Sequence, residues 1–169
     1  MFPFGWHQDL TSIGILFAAE TLSIIRKIPF SPVKWLRRLL EESRAWALRE
    51  IYLRAFRIAV TEGKPWTVMS SYNRVNGKYV CNSFDFCTRV LRLEWDFDGL
   101  LMSDWNATEQ CSYSEAINAG NDLIMPGTTA VAKRLRSDLK AGKLKKNALD
   151  LSAGRVLELI FKSDTCKEF

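Results

Sequence analysis

From about Glu42 to Glu62 the apolar residues Leu48, Tyr52, Ala55 and Ala59 recur at helical spacing, and Ile51, Leu53 and Phe56 widen the stripe. Gly63 stops this helix, and Lys64-Pro65 restarts the chain as extended. Trp66 to Ser71 then reads as a short buried strand. Residues 73–78, centred on Asn76-Gly77, read as a turn or loop. Ser83 is the expected N-cap of a helix reaching Arg92 or Leu93, with Phe86, Val90 and Leu93 on one face. After a return at 95–99, Leu100 to Ser103 forms a second apolar strand. A helix over about 110–119 follows, closed by Gly120. Leu123 to Met125 is a third strand, ended by Pro126-Gly127. Helices over about 129–141, with Gly142 as stop, and about 147–161 complete the pattern.

Strand and helix therefore alternate with short connections, and the strands are apolar on both faces. That pattern predicts an α/β fold with covered parallel strands. No Gly-rich phosphate loop accompanies it, so nucleotide-binding folds lack their fingerprint. About three βα units are present, against the roughly 250 residues of a complete eight-unit barrel. Residues 1–44 show no regular pattern, and Pro29 and Pro32 interrupt their apolar material. They are left as an unassigned N-terminal segment, and 162–169 as a C-terminal tail.

The length of 169 residues suits one domain, and 47% hydrophobic with 25% charged residues excludes a disordered chain. The net charge of +5 is terminal: residues 41–130 carry nine basic and twelve acidic groups. The run Lys140, Lys143, Lys145 and Lys146 has no aromatic interleaving and reads as a solvated, helix-flanking face, so no nucleic-acid partner is expected. The apolar stretch Ile13 to Ile25 is too short to span a bilayer, and no membrane partner is expected. Cysteines 81, 87, 111 and 166 and the single His7 lack metal-ligand spacing, so no metal site is expected. Cys81 and Cys87 can pair in an oxidising compartment. Scattered thiols of a cytosolic protein are the plainer reading, which favours cytoplasm over secretion without fixing the location.

Asp104 directly follows the second strand, where barrel enzymes present catalytic groups, and Trp105 beside it offers a flat apolar face. An ordinary strand-ending Asp that caps the next turn fits the local pattern as well. Tyr72 and Arg74 leave the first strand at the equivalent end, as do Asp122, Met125 and Gly127 near the third. Met69 alone reads as core.

Four blocks in order carry a resemblance: LREIYL at 48–53, VMSSYNRVNG at 68–77, LRLEWDFDGLLMSDW at 91–105 and AGNDLIMPG at 119–127. Together the chain over about 45–160 resembles glycoside hydrolase family 3, in the C-terminal part of its N-terminal catalytic barrel. The resemblance implies a partial (β/α)8 TIM-barrel, about the last three βα units, over residues 45–161. It implies Asp104 as catalytic nucleophile, with Tyr72, Met69 and Trp105 binding the substrate sugar. The implied reaction is retaining hydrolysis of terminal β-D-glucosidic, or xylosidic, bonds, with a β-glucoside or oligosaccharide as substrate and no cofactor. The acid/base is not identified. In the family it comes from a following domain, and the sugar ligands of the earlier barrel segments are not recognisable in 1–44. The missing barrel portion and a second domain are therefore expected partners, and a non-catalytic barrel fragment that folds only with them is the alternative.

Overall fold

The computed structural model describes residues 45–163. The unassigned segment 1–44, with His7 and the Ile13–Ile25 stretch, and residues 164–169, with Cys166, lie outside the described residues.

Two short strands form the centre, β1 (Thr67–Met69) and, later in the chain, β4 (Leu100–Met102). They pair in parallel with Thr67 opposite Leu100, Val68 opposite Leu101 and Met69 opposite Met102. Bonds beyond the strand ends extend the ladder: Leu100 N–H donates to the Trp66 carbonyl at 3.0 Å and Ser70 N–H to the Met102 carbonyl at 2.8 Å. The third expected strand is reduced to one parallel bridge between Met102 and Leu123, continued by Ser103 N–H to the Leu123 carbonyl at 2.8 Å. The α/β reading and the parallel pairing therefore hold. The third segment stays short because Pro126 has no amide proton to extend the ladder.

The helix expected over 42–62 is broken within the described residues. A π-helical turn, Leu48–Tyr52, is closed by Leu53 N–H to the Leu48 carbonyl at 2.8 Å, and α1 (Arg54–Thr61) starts beyond it. Inserting the wider turn lets Leu53 face the core, where it is buried. Residues 73–78 are more regular than a loop. Strands β2 (Arg74–Val75) and β3 (Lys78–Tyr79) pair antiparallel around Asn76 (φ 51°) and Gly77 (φ 86°), the two left-handed positions a tight hairpin turn requires.

Ser83 does not cap a helix through its side chain. A single 3-10 turn, Val80–Asn82, ends there, and a π-helix, Asp85–Glu94, follows. Bonding to the fifth residue places more residues in each turn than the 3.6 assumed from sequence. The buried face becomes Cys87, Val90 and Leu91, and Leu93, expected beside Val90, is 72% exposed.

The remaining helices are α2 (Tyr113–Ala119), α3 (Thr129–Lys140) and α4 (Lys146–Lys162). Ser112 and Thr128 cap α2 and α3 by accepting from Glu115 N–H and Val131 N–H. Helix α2 begins later than expected because 105–110 forms a turn. Gly120 ends it at φ 100°, and a Cβ there would stand 2.5 Å from Thr88 Oγ1, which itself donates to the Ala119 carbonyl at 2.8 Å. The four lysines of the charge run are exposed. Among the described residues no helix is long and apolar enough to cross a membrane.

One core cluster joins Val60, Val68, Val90, Leu91, Trp95, Phe97 and Leu101 between β1, β4 and the flanking helices. A second, from Ala116, Ile117, Ile124, Val131 and Leu144, packs α2 to α3. Between the strands and α4 lies a buried charge group. The Asp122 carboxylate, fully shielded from solvent, accepts from Arg92 Nη2, from Arg155 Nη1 at 2.8 Å and from the Leu101 N–H at 2.9 Å. Arg92 Nη1 also donates to the Gly99 carbonyl at 3.0 Å, so one guanidinium holds both ends of the turn into β4.

Replacing Leu101 by Ala empties a side chain that is 1% exposed and is expected to cost about 2–5 kcal/mol, read as a lower urea midpoint at unchanged slope. Asp122→Asn keeps the shape but leaves two guanidinium groups without their counter-charge. Its expected cost is about 3–5 kcal/mol in the same measurement, and a loss below about 1 kcal/mol would show that the group is dispensable.

Candidate active site

Asp104 stands two residues past β4, half-buried, on backbone that three strand segments fix together. Its N–H donates to the Ser70 carbonyl at 3.1 Å, which places it directly beyond the end of β1. The following turn is pinned to the third segment by Asn106 N–H to the Met125 carbonyl at 2.9 Å, with Asn106 itself at φ 63°. Ser103 Oγ accepts from Met125 N–H at 2.8 Å on the same edge. The carboxylate is oriented by its own neighbour: Trp105 N–H donates to Asp104 Oδ1 at 2.6 Å. A main-chain donor on the carboxylate fixes its direction.

Tyr72 lies three residues past β1 at the same strand end and is 49% exposed. Desolvation, then the negative charges of Asp104 and Glu109, hold its phenol above the usual tyrosine range, so it stays protonated and can donate at neutral pH. Tyr72 thus senses the charges of Asp104 and Glu109, and the three make up one electrostatic patch. Trp105, whose backbone N–H holds the carboxylate, is 56% exposed. Met69, the last residue of β1, is half-buried and pairs with Met102 as the last pair of the ladder.

Other strand-end residues take different roles. Arg74 donates to Tyr79 Oη at 2.6 Å and lies over that ring at 4.1 Å from its centre, and Tyr79 Oη in turn donates to Gln110 Oε1 at 2.6 Å. This chain braces the hairpin against the 105–110 turn. Asp122 is turned inward and committed to Arg92 and Arg155, so it does not join the patch. Glu115 accepts from Asn82 Nδ2 at 3.0 Å on the α2 surface.

Two residues that the sequence reading did not single out position the site. Asn121, completely buried, donates from Nδ2 to Ser70 Oγ at 2.9 Å and to the Cys81 carbonyl at 3.2 Å. Ser70 is the residue whose carbonyl holds the Asp104 amide, so Asn121 acts on Asp104 through Ser70. A Ser following an apolar strand and an Asn following a helix-ending Gly are too common to single out without knowing that they meet.

The site is open. Hollows of about 570 Å³ and about 700 Å³ lie around the 96–98 return, one lined by Trp66, Trp95 and Lys162 and the other by Asp150 and Arg155. Neither is lined by Asp104, Tyr72, Met69 or Trp105. Among the described residues no group of three or more His, Cys, Asp or Glu is arranged to hold a metal ion.

Comparison with known proteins places this geometry. Residues 39–159 match the glycosyl hydrolase family 3 N terminal domain. Beta-glucosidase B of Emericella nidulans is 44% identical over 118 residues, which cover 69% of this chain and 14% of that protein. Thermostable beta-glucosidase B of Acetivibrio thermocellus is 39% identical over 115 residues, 68% of this chain and 15% of that protein. Among solved structures, beta-glucosidase 3B of Thermotoga neapolitana in complex with glucose superposes with a TM-score of 0.66 at 42% identity, covering 72% of this chain and 18% of that one. The chain spans about one seventh of the length of these curated relatives, and over the part it shares with them it belongs to glycosyl hydrolase family 3.

Proposed function

We propose that this chain contributes the nucleophile-bearing part of a retaining β-glucosidase, acting on terminal β-D-glucosidic bonds, with β-xylosides as the nearest alternative substrate. The observation that carries the reading is the placement of Asp104: at the C-terminal end of a parallel strand, half-buried, with one carboxylate oxygen held by Trp105 N–H. In the proposed reaction the Asp104 carboxylate attacks the anomeric carbon and forms a glycosyl ester. The leaving oxygen takes a proton from a second carboxyl group, and water then cleaves the ester with that group as base. Trp105 lies against the sugar's apolar face, Tyr72 donates to a sugar hydroxyl, and Met69 supports the floor of the subsite from the strand end.

In this reading β1, β4 and the Leu123 segment are consecutive strands of a (β/α)8 barrel, about its last three units, within a domain running over 45–161. The strand-end position of the site is the one such barrels use. The second reading, a barrel fragment without catalytic activity of its own, is favoured by specific exposed surface. Leu157, Ile160 and Phe161 on α4 and Ile51 and Ile58 on the first helical segment are all at least 42% exposed, as faces that pack against further barrel elements are when uncovered. The two readings share the fold and differ in whether the open site can turn over alone.

Incubation with an activated 2-fluoro-β-glucoside separates them. A glycosyl adduct on the natural chain, seen by intact mass and absent from Asp104→Ala, is the expected result; an equal adduct on Asp104→Ala sinks the assignment of the nucleophile. No adduct on a chain that melts cooperatively would favour the inactive fragment. Trp105→Ala is expected to raise the half-saturating reagent concentration about tenfold, or about 1.4 kcal/mol, while leaving the melting temperature nearly unchanged because the ring is exposed.

A further inference from the structure

Cys81 and Cys111 are 30 residues apart in sequence, yet their sulfurs stand 3.4 Å apart. Cys81 is completely buried in the Val80–Asn82 turn, and its backbone is held by Asn121 Nδ2 on the Cys81 carbonyl. Its thiol also donates to the Ala107 carbonyl at 3.6 Å, so it sits directly beneath the loop that leaves Asp104. Cys111 closes that loop just before α2 and is only half-buried, outside any regular element. A fixed buried sulfur thus faces a half-buried one that lies outside any regular element.

We propose that Cys81 and Cys111 are a reversible disulfide site that staples the 104–112 loop to the Val80–Asn82 turn. A disulfide needs the sulfurs about 2.05 Å apart, so the gap closes by a little over an ångström, a shift available to a loop residue. The step requires a small-molecule disulfide such as oxidised glutathione. The Cys111 sulfur, the one that reaches solvent, attacks one oxidant sulfur, its proton passing to the departing glutathione. The Cys81 sulfur then displaces the second glutathione from Cys111. Two thiol hydrogens with their electrons move to the oxidant, which leaves as two thiols.

The pairing is selective. Cys87, the partner weighed for Cys81 from sequence spacing, points its thiol away from Cys81 Sγ at the Val80 carbonyl, 3.2 Å off, and is fully buried, whereas Cys111 Sγ stands 3.4 Å from Cys81 Sγ. The sulfur–sulfur hydrogen bond lowers the Cys81 thiol and, with desolvation, raises the Cys111 thiol, so selectivity rests on the approach of the two sulfurs and the first attack waits on loss of the Cys111 proton.

The site does not depend on the glycosidase reading, and its test needs no substrate. The full chain is equilibrated with oxidised glutathione, alkylated, and mapped by non-reducing peptide mass. The expected product links Cys81 to Cys111 and has lost two hydrogens. The link is expected to be absent from Cys111→Ser and retained in Cys87→Ser. Amide exchange over 106–111 should slow about tenfold on oxidation and recover with dithiothreitol. Unlinked thiols at 81 and 111, a linkage through Cys87 or Cys166, or a link that leaves loop exchange unchanged would each overturn the proposal.

Discussion

The placement of the candidate nucleophile depends on a buried carboxylate that takes no part in the chemistry. The Asp122 side chain is wholly removed from water, and Arg92, Arg155 and the Leu101 amide surround its carboxylate. An isolated buried charge costs several kcal/mol, so the three donors must converge or the group fails. Each comes from a different element: the π-helix before β4, helix α4 and β4 itself. Satisfying one charge therefore fixes the height of β4 against the Leu123 segment, and with it the position of Asp104 just beyond the strand.

Above that anchor the site is held mainly by main-chain bonds. Ser70 gives its carbonyl to the Asp104 amide, Met125 gives its carbonyl to Asn106, and Trp105 lends its amide to the Asp104 side chain. Backbone donors lose no rotamer freedom when they bind, so the carboxylate is oriented at little entropic cost. Asn121 secures Ser70 from below and reaches the Cys81 carbonyl with the same amide nitrogen. The loop that carries Trp105 is thus tied at both its start and the floor beneath it, and the pair of thiols lies where that loop crosses the Val80–Asn82 turn.

Much of this fold was legible in the sequence, for physical reasons that also explain the rest. The triplets at 67–69 and 100–102 were found from short runs of strand-forming residues around the buried Val68, Leu100 and Leu101, and Gly120 and Gly142 stopped their helices because only a residue without Cβ takes φ of 100° or 70° without strain. Asp104 was found because it follows an apolar strand at once. The π-helical segments were not legible: apolar spacing was read at 3.6 residues per turn, which put Leu93 inside and left Leu53 unremarkable. The hairpin at 74–79 had its signal in Asn76-Gly77, but strands of two residues fall below what alternation can register. The union of Arg92, Asp122 and Arg155, like that of Cys81 with Cys111, joins residues about 30 positions apart, a distance at which one sequence shows charges and sulfurs but not their meeting.

An open, well-oriented carboxylate has a definite chemical consequence. Retaining hydrolysis needs a second carboxyl about 5 Å from the first, held where it protonates the leaving oxygen. Glu115 is engaged with Asn82 on the surface of α2 and is unsuited to that task. Glu109 shares the patch closely enough to act on the Tyr72 phenol, but it sits exposed in the turn, where water screens it and nothing fixes its distance from Asp104. Orientation of the Asp104 carboxylate is thus built into this chain, whereas the exclusion of water and the delivery of a proton that the proposed reaction needs call for surface that covers Tyr72 and Trp105. The division follows from where the order lies: strand ends and backbone bonds can aim a carboxylate by themselves, but lowering the dielectric around it takes a second wall.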